Sequence, residues 1–238
     1  MNEGQSTLRV ICAGGYRAAM ERIAEEYSAK FGVFLDLTFG TPAKTRELVT
    51  QGAGFDAVVV TKGSLDSAAS AQLAADTMFI VAKSPVGVGV REGIPLQSID
   101  SVEQFGAFIR SLGSVGLSDP AAGTNLGVDI LNAADKVGLG QDLRPRVKFI
   151  HGPGSAVSTE VGKGDPDAVI TLISEIKNFA GVQFVGNIPD AMGLGTPFVA
   201  AVGLSPNDRA RAVSFLAYLR SDAARVQMER TGLAPMAQ

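Results

Sequence analysis

The stretch LRVICAGGYRAAMERIAEEYSAKFG, residues 8–32, decides the fold. Residues 8–12 are a short apolar run, as in a strand covered on both faces of a mostly parallel sheet. The small residues Ala13-Gly14-Gly15 end that run. Apolar side chains then recur at helical spacing: Ala19, Met20, Ile23, Ala24, Tyr27 and Phe31 share one face, and Glu21, Glu25, Glu26 and Lys30 point outward. Gly32 is the stop, because glycine accepts the left-handed conformation that closes a helix. Residues 33–39 alternate as a second strand. Gly40-Thr41-Pro42 opens another helix through about Gln51, and residues 57–60 are a third strand. The order βαβαβ is that of a parallel sheet.

The same logic recurs downstream. Residues 78–82 and 86–90 are apolar runs where the chain leaves the first sheet. Residues 101–112 read as a helix with Phe105, Phe108 and Ile109 inward, and 115–117 as a strand ended by Ser118-Asp119-Pro120. A helix over 127–137, a strand over 147–150, a helix over 155–163 and a strand over 168–172 complete a second α/β unit. Residues 198–203 offer a return path. Pro206 fits the first turn of a last helix pair, with Asp208 and Asp222 near helix starts, Ala212, Phe215, Leu216 and Leu219 inward, and Gly232 at an end. The expected architecture is two lobes joined by two crossings: residues 1–80 with 200–238, and 81–199, with a ligand cleft between them.

Composition narrows the function. A net charge of -3, with scattered basic residues, gives no footprint for nucleic acid. Cys12 and His151 are the only cysteine and histidine, so neither a disulfide nor a Cys/His metal cage forms within the chain, and no metal or cofactor is expected. Cys12, inside its strand, reads as a small buried hydrophobe. The longest apolar runs fall far short of the roughly 20 residues of a membrane-spanning helix. The N-terminal MNEGQSTLRV lacks the basic and apolar regions of a secretory signal. Residues 2–7 read as the polar lead-in of an exported protein, which is periplasmic if a signal peptide was removed and otherwise cytoplasmic. GAGFD, residues 52–56, follows a helix instead of a strand and is therefore a turn, not a nucleotide fingerprint.

In open parallel sheets, ligands collect beyond the carboxyl ends of strands, where unpaired N–H groups at helix starts favour an anion. The turns at 13–16, 39–42, 118–127 and 152–156 have this character. Their candidate ligand-binding residues are Gly14, Gly15, Tyr16, Gly40, Thr41, Thr124, Asn125, Gly154, Ser155 and Ala156, with Lys62 after the third strand able to neutralise a carboxylate. Tyr16 and His151 are the candidate proton-transfer groups if the protein is an enzyme. Asp119 is expected to cap its own turn.

Four stretches resemble the molybdate-binding periplasmic proteins: residues 8–32, LTFGTPAKTRELVTQGAGFDAVVVTKG at 37–63, LSDPAAGTNLG at 117–127, and SFLAYLRSDAARVQMERTGLAP at 214–235. The resemblance spans nearly the whole chain in order. It implies the type 2 solute-binding-protein fold, two lobes hinged around a buried anion site, a monomer, and an ABC permease as partner if the protein is exported. The ligand-bearing positions depart from the pattern. The family's first-turn serine is Gly15, its serine-rich second turn is Gly40-Thr41-Pro42, and its late tyrosine aligns with Leu172. An oxyanion site is kept in outline but rebuilt in size and polarity, which favours an organic carboxylate over molybdate. In the same departures the chain resembles the aconitate isomerases, which share the scaffold and shift a double bond in an unsaturated tricarboxylate. Binding alone and isomerisation are thus both open.

Overall fold

A computed structural model describes residues 6–52, 54–177 and 179–236. The lead-in residues 2–5, and Ala53 of the GAGFD turn, lie outside the described residues. The chain divides into two compact units, residues 1–83 with 197–238, and residues 84–196.

The first unit begins with β1 (Ser6–Ala13), α1 (Arg17–Phe31), β2 (Val33–Gly40), α2 (Pro42–Thr50), β3 (Ala57–Thr61) and a short α3 (Ser67–Ser70). β1 lies between β2 and β3, parallel to both, with Ala13 opposite Gly40 and Cys12 opposite Val59. That register brings the ends of β1 and β2 level, so their turns are neighbours. β3 is buried throughout, because α2 and α3 cover one face of the sheet; Ile11, Val49, Phe55, Val58, Val60, Ala69, Leu73 and Ala201 form one cluster there. Burying a valine or isoleucine of this kind contributes roughly 1.5–3 kcal/mol. On α1, the residues from Ala19 to Tyr27 that share the apolar face are buried, and Gly32 closes the helix at φ 68° with its N–H on the Ser28 carbonyl. Phe31 departs from the reading. At the last position of the helix it is 46% exposed, and its ring packs on Tyr27 at 4.7 Å instead of entering the core.

The apolar runs at 78–82 and 86–90 are one strand, β4 (Phe79–Arg91), which passes from the first unit to the second after Lys83. The interrupting Ser84-Pro85 falls between the residues of β4 that pair with β10 and those that pair with β7. The second unit continues with α4 (Val102–Ser111), β5 (Val115–Ser118), α5 (Leu126–Lys136), α6 (Gly140–Leu143), β6 (Val147–Ile150), α7 (Gly154–Lys163), β7 (Ala168–Leu172) and β8 (Val182–Asn187). β5 lies between β6 and β7, parallel to both, while β7 and β8 run antiparallel to β4. Ser101 starts α4 with a capping box closed by Gln104.

β9 (Gly195–Val202) carries the chain back and pairs antiparallel with β3. α8 (Arg209–Leu219), α9 (Asp222–Arg230) and a two-residue β10 (Ala234–Pro235) on β4 complete the first unit. Pro206 does not sit in the first turn of α8. Asp208 takes the N-cap by accepting the Arg211 N–H at 2.9 Å, which starts the helix three residues after the proline. No helix among the described residues is long and apolar enough to cross a membrane.

Candidate functional site

The sequence-derived candidates fall at the carboxyl ends of the parallel strands, in two sets, one per unit. In the first unit, Gly14, Gly15 and Tyr16 form a 3-10 turn between β1 and α1. Gly40 ends β2, and a side chain placed on Gly14 would lie 3.6 Å from the Gly40 carbonyl, so these two turns touch. Thr41 is the N-cap of α2. Its hydroxyl accepts the Lys44 N–H at 3.4 Å, and Pro42 follows at the first helical position, where no N–H is needed. Lys62 begins the 3-10 turn after β3 and is exposed. Beneath it, Thr61 and Ser64 share a hydrogen bond of 2.5 Å, and Thr45 of α2 donates to Ser64 at 3.4 Å, which ties the second and third turns together.

Tyr16 is fully buried, its ring edge-on to Phe198 with centroids 5.3 Å apart. Its hydroxyl has no hydrogen-bond partner among the described residues. Burial holds the phenol well above its ordinary value, with the neighbouring Cys12 adding to the effect. Cys12 is buried in β1.

Arg17 escaped the sequence reading. It is the first residue of α1, directly after the Gly14–Tyr16 turn, and its guanidinium stacks 3.8 Å over the Phe39 ring at the end of β2. It also reaches Glu21 one turn along at 3.2 Å, half exposed. A stacked guanidinium keeps its forked edge for a carboxylate. The signal was present, an arginine two residues after a glycine pair and a phenylalanine just before Gly40, but adjacency across β1 and β2 is needed to see it.

In the second unit, Thr124 and Asn125 lead into α5. The Thr124 hydroxyl accepts the Leu126 N–H at 3.4 Å, while Asn125 is exposed and makes no side-chain cap. Asp119 caps its own turn through the Ala121 N–H at 2.9 Å. His151 is exposed in the turn after β6, three residues ahead of α7. Gly154, Ser155 and Ala156 make the first turn of α7.

Two of the N–H groups of that turn already have partners. Ala156 donates to the Pro153 carbonyl at 2.9 Å, and the Ser155 N–H bonds the carboxylate of Glu175. Glu175 closes the 3-10 turn that follows β7 and is buried. Its Oε2 accepts the Thr171 hydroxyl at 3.0 Å, and Ser158 of α7 donates to its backbone carbonyl at 2.5 Å. A Cβ on Gly154 would overlap both Thr171 Oγ1 and Glu175 Oε2. Burial pushes the Glu175 carboxyl up to about 7, although Thr171 and the Ser155 N–H pull the other way. Glu175 is absent from the sequence-derived candidates, because an acid just after a strand is ordinarily solvated.

Two other carboxylates show the contrast. Asp56, fully buried, and Asp167 are also disfavoured by burial. Two backbone N–H groups and an arginine outweigh this in each case and hold the carboxyl below its ordinary value: Arg9 and Asn207 N–H with the Arg9 guanidinium for Asp56, and Gly113 and Ser114 N–H with Arg91 for Asp167. These are structural ties, between β1 and the lead-in to α8, and between β4 and the lead-in to β5. Among the described residues no group of three His, Cys, Asp or Glu side chains is arranged to hold a metal ion.

The fold is thus mixed α/β, with the candidate turns at the carboxyl ends of its parallel strands, and the comparisons name its class. Residues 8–234 match the family model described as bacterial extracellular solute-binding protein, so the chain belongs to that family. A curated relative, an aconitate isomerase from Pseudomonas sp, is 27% identical over 237 residues, 97% of this chain and 88% of that protein. Among solved structures, the substrate-binding domain of a putative molybdenum ABC transporter from Clostridium difficile superposes with a TM-score of 0.78 at 16% identity, covering 98% of this chain and all of that one. The periplasmic molybdate-binding protein of Azotobacter vinelandii gives 0.75 at 15% identity, covering 97% and 100%. At these identities the structures establish the fold, which is the periplasmic-binding-protein fold.

Proposed function

We propose that the protein binds a small organic polycarboxylate through the turns at the carboxyl ends of its parallel strands. The observation that carries this reading is the stacking of Arg17 on Phe39 beside Gly14–Tyr16 and Gly40-Thr41. A rigid guanidinium fork matches a planar carboxylate, whereas a tetrahedral metal oxyanion is served well by hydroxyls and backbone N–H groups alone. Gly15 in place of a serine leaves room for a larger ligand, Lys62 adds charge, and the Thr41 hydroxyl, which accepts from Lys44, still has its own proton to donate. Membership of an extracellular solute-binding family, and the fold shared with an ABC transporter's substrate-binding domain and a periplasmic molybdate-binding protein, support a periplasmic solute receptor working with an ABC permease.

Thermal unfolding against citrate, trans-aconitate, molybdate, tungstate and sulfate tests the reading, because a ligand that binds only the folded state raises its Tm. Tricarboxylates are expected to give the largest rise. A rise with molybdate or tungstate alone contradicts the carboxylate assignment.

A second reading is favoured by one specific observation, the relationship to an aconitate isomerase along nearly the full length of both chains. In it the bound ligand is an unsaturated tricarboxylate whose double bond is moved by a proton shift. Such a reaction needs an acid–base group shielded from water, and donors for the charge that develops on a carboxylate.

A further inference from the structure

A cavity of about 370 Å³ opens within the first unit, between the start of β4, the C-terminal end of α8, α9 and β10. Every residue that lines it belongs to that unit, and none belongs to the candidate turns. Its volume is that of a small-molecule site, and such sites are mostly apolar with a few placed polar groups.

Two arginines supply those groups here. Arg220, the C-cap of α8, holds its guanidinium 3.7 Å over the centre of the Phe79 ring. Arg225 of α9 is half-buried and donates one N–H to the Met236 carbonyl at 2.9 Å. Met236 is itself tied to β4 by its N–H on the Val81 carbonyl at 3.1 Å, so the backbone that anchors Arg225 is fixed. Elsewhere in the chain arginines meet acids, as Arg9 does Asp56, Arg91 does Asp167 and Arg209 does Asp76. Arg225 takes part in none of the ion pairs among the described residues. The rest of the lining, Ile80, Leu219 and Pro235 among it, is apolar and holds no acidic side chain. A half-buried guanidinium in an apolar hollow is a cost to the fold that a bound anion removes.

We propose that this cavity is a second ligand site, separate from the strand-end turns, for a small monocarboxylate with an apolar body. The carboxylate meets the N–H groups that Arg225 keeps beyond its bond to Met236, because a guanidinium carries five in a fixed fork. Arg220 adds its charge from the Phe79 ring, and the apolar body lies on Ile80, Leu219 and Pro235. A tricarboxylate suits this cavity poorly, since the apolar lining leaves its further charges unpaired. The assignment does not depend on the polycarboxylate reading of the strand-end turns.

The test uses octanoate as the probe, with 1-octanol as its uncharged counterpart and citrate as competitor. Calorimetric titration measures binding to the wild type, Arg225→Gln and Arg220→Gln, and NMR of carbon-13-labelled methionine methyl groups places it. The expected result is saturable one-to-one binding of octanoate that moves the Met236 methyl signal and persists in saturating citrate. Arg225→Gln should weaken it by about tenfold or more, and Arg220→Gln by less. Absence of saturable octanoate binding overturns the assignment, as does an unmoved Met236 signal or displacement of octanoate by citrate. Binding of 1-octanol as tight as that of octanoate removes the arginines' role and overturns it equally. Should Arg225→Gln fail to fold, Arg220→Gln, which keeps the tie to Met236, decides: a weakened affinity supports the site, and an unchanged one overturns it.

Discussion

Gly154 and Glu175 occupy one space between them: the glycine's absent side chain is where the Thr171 hydroxyl and the Glu175 carboxylate meet. The glycine thus opens the start of α7 to the protein's own carboxylate. The Ser155 and Ala156 N–H groups of its first turn are answered from within the chain, by Glu175 and by the Pro153 carbonyl.

Gly154→Ala is therefore expected to destabilise. The added methyl must displace Glu175 or Thr171 in a closely packed site, at a cost of roughly 1–3 kcal/mol. Urea unfolding at pH 7 reads the loss. An unchanged midpoint contradicts the packing described.

The same carboxyl makes stability depend on pH. Its folded-state pKa is about 7 against an ordinary 4.5, so the folded protein holds this proton more tightly than the unfolded chain. The contribution is fully present below about pH 4.5 and lost as pH rises through about 7, a change on the order of 3 kcal/mol. Wild type minus Glu175→Gln, measured by denaturant unfolding from pH 5 to 8, should show this slope. A flat difference contradicts it.

Asp56 should act in the opposite sense. Its lowered pKa means that its stabilisation is present above the ordinary carboxylate range and is lost as acid protonates it in the folded protein. Asp56→Ala leaves Arg9 and the Asn207 N–H without their buried acceptor, and is expected to cost about 3–5 kcal/mol at pH 7. A midpoint equal to the wild type's contradicts this.

Arg17→Gln should weaken tricarboxylate binding by about tenfold or more, equivalent to roughly 1.4 kcal/mol, while moving Tm little because the side chain is half exposed. Phe39→Leu should give a smaller loss in the same direction, since it removes the stacking and keeps the charge. Calorimetric titration with citrate measures both, and equal affinity in the Arg17 variant removes that residue from the site.

The fold was legible because its signals are local. Apolar runs such as residues 8–12 and 57–60, with the helical stripe from Ala19 to Tyr27, specify strand and helix without help from the rest of the chain. β8 went unread because its first five residues are only half buried and carry no clean alternation. Pro206 was misplaced because Asp208, two residues on, is the stronger cap. The candidate residues could be named because strand-end turns announce themselves by Gly, Ser and Thr. Arg17 and Glu175 could not, since an arginine opening a helix and an acid after a strand are ordinarily solvated. Only the register that sets Phe39 beside the first turn, and the packing of α7 on β7, give them their contacts.

The central claim, that this family member holds an organic polycarboxylate, is tested most directly by calorimetric titration of the wild-type protein with citrate, trans-aconitate and molybdate under one set of conditions. Saturable one-to-one binding of a tricarboxylate, tighter than that of molybdate, is the expected result. Tight binding of molybdate with no heat from either tricarboxylate would contradict it.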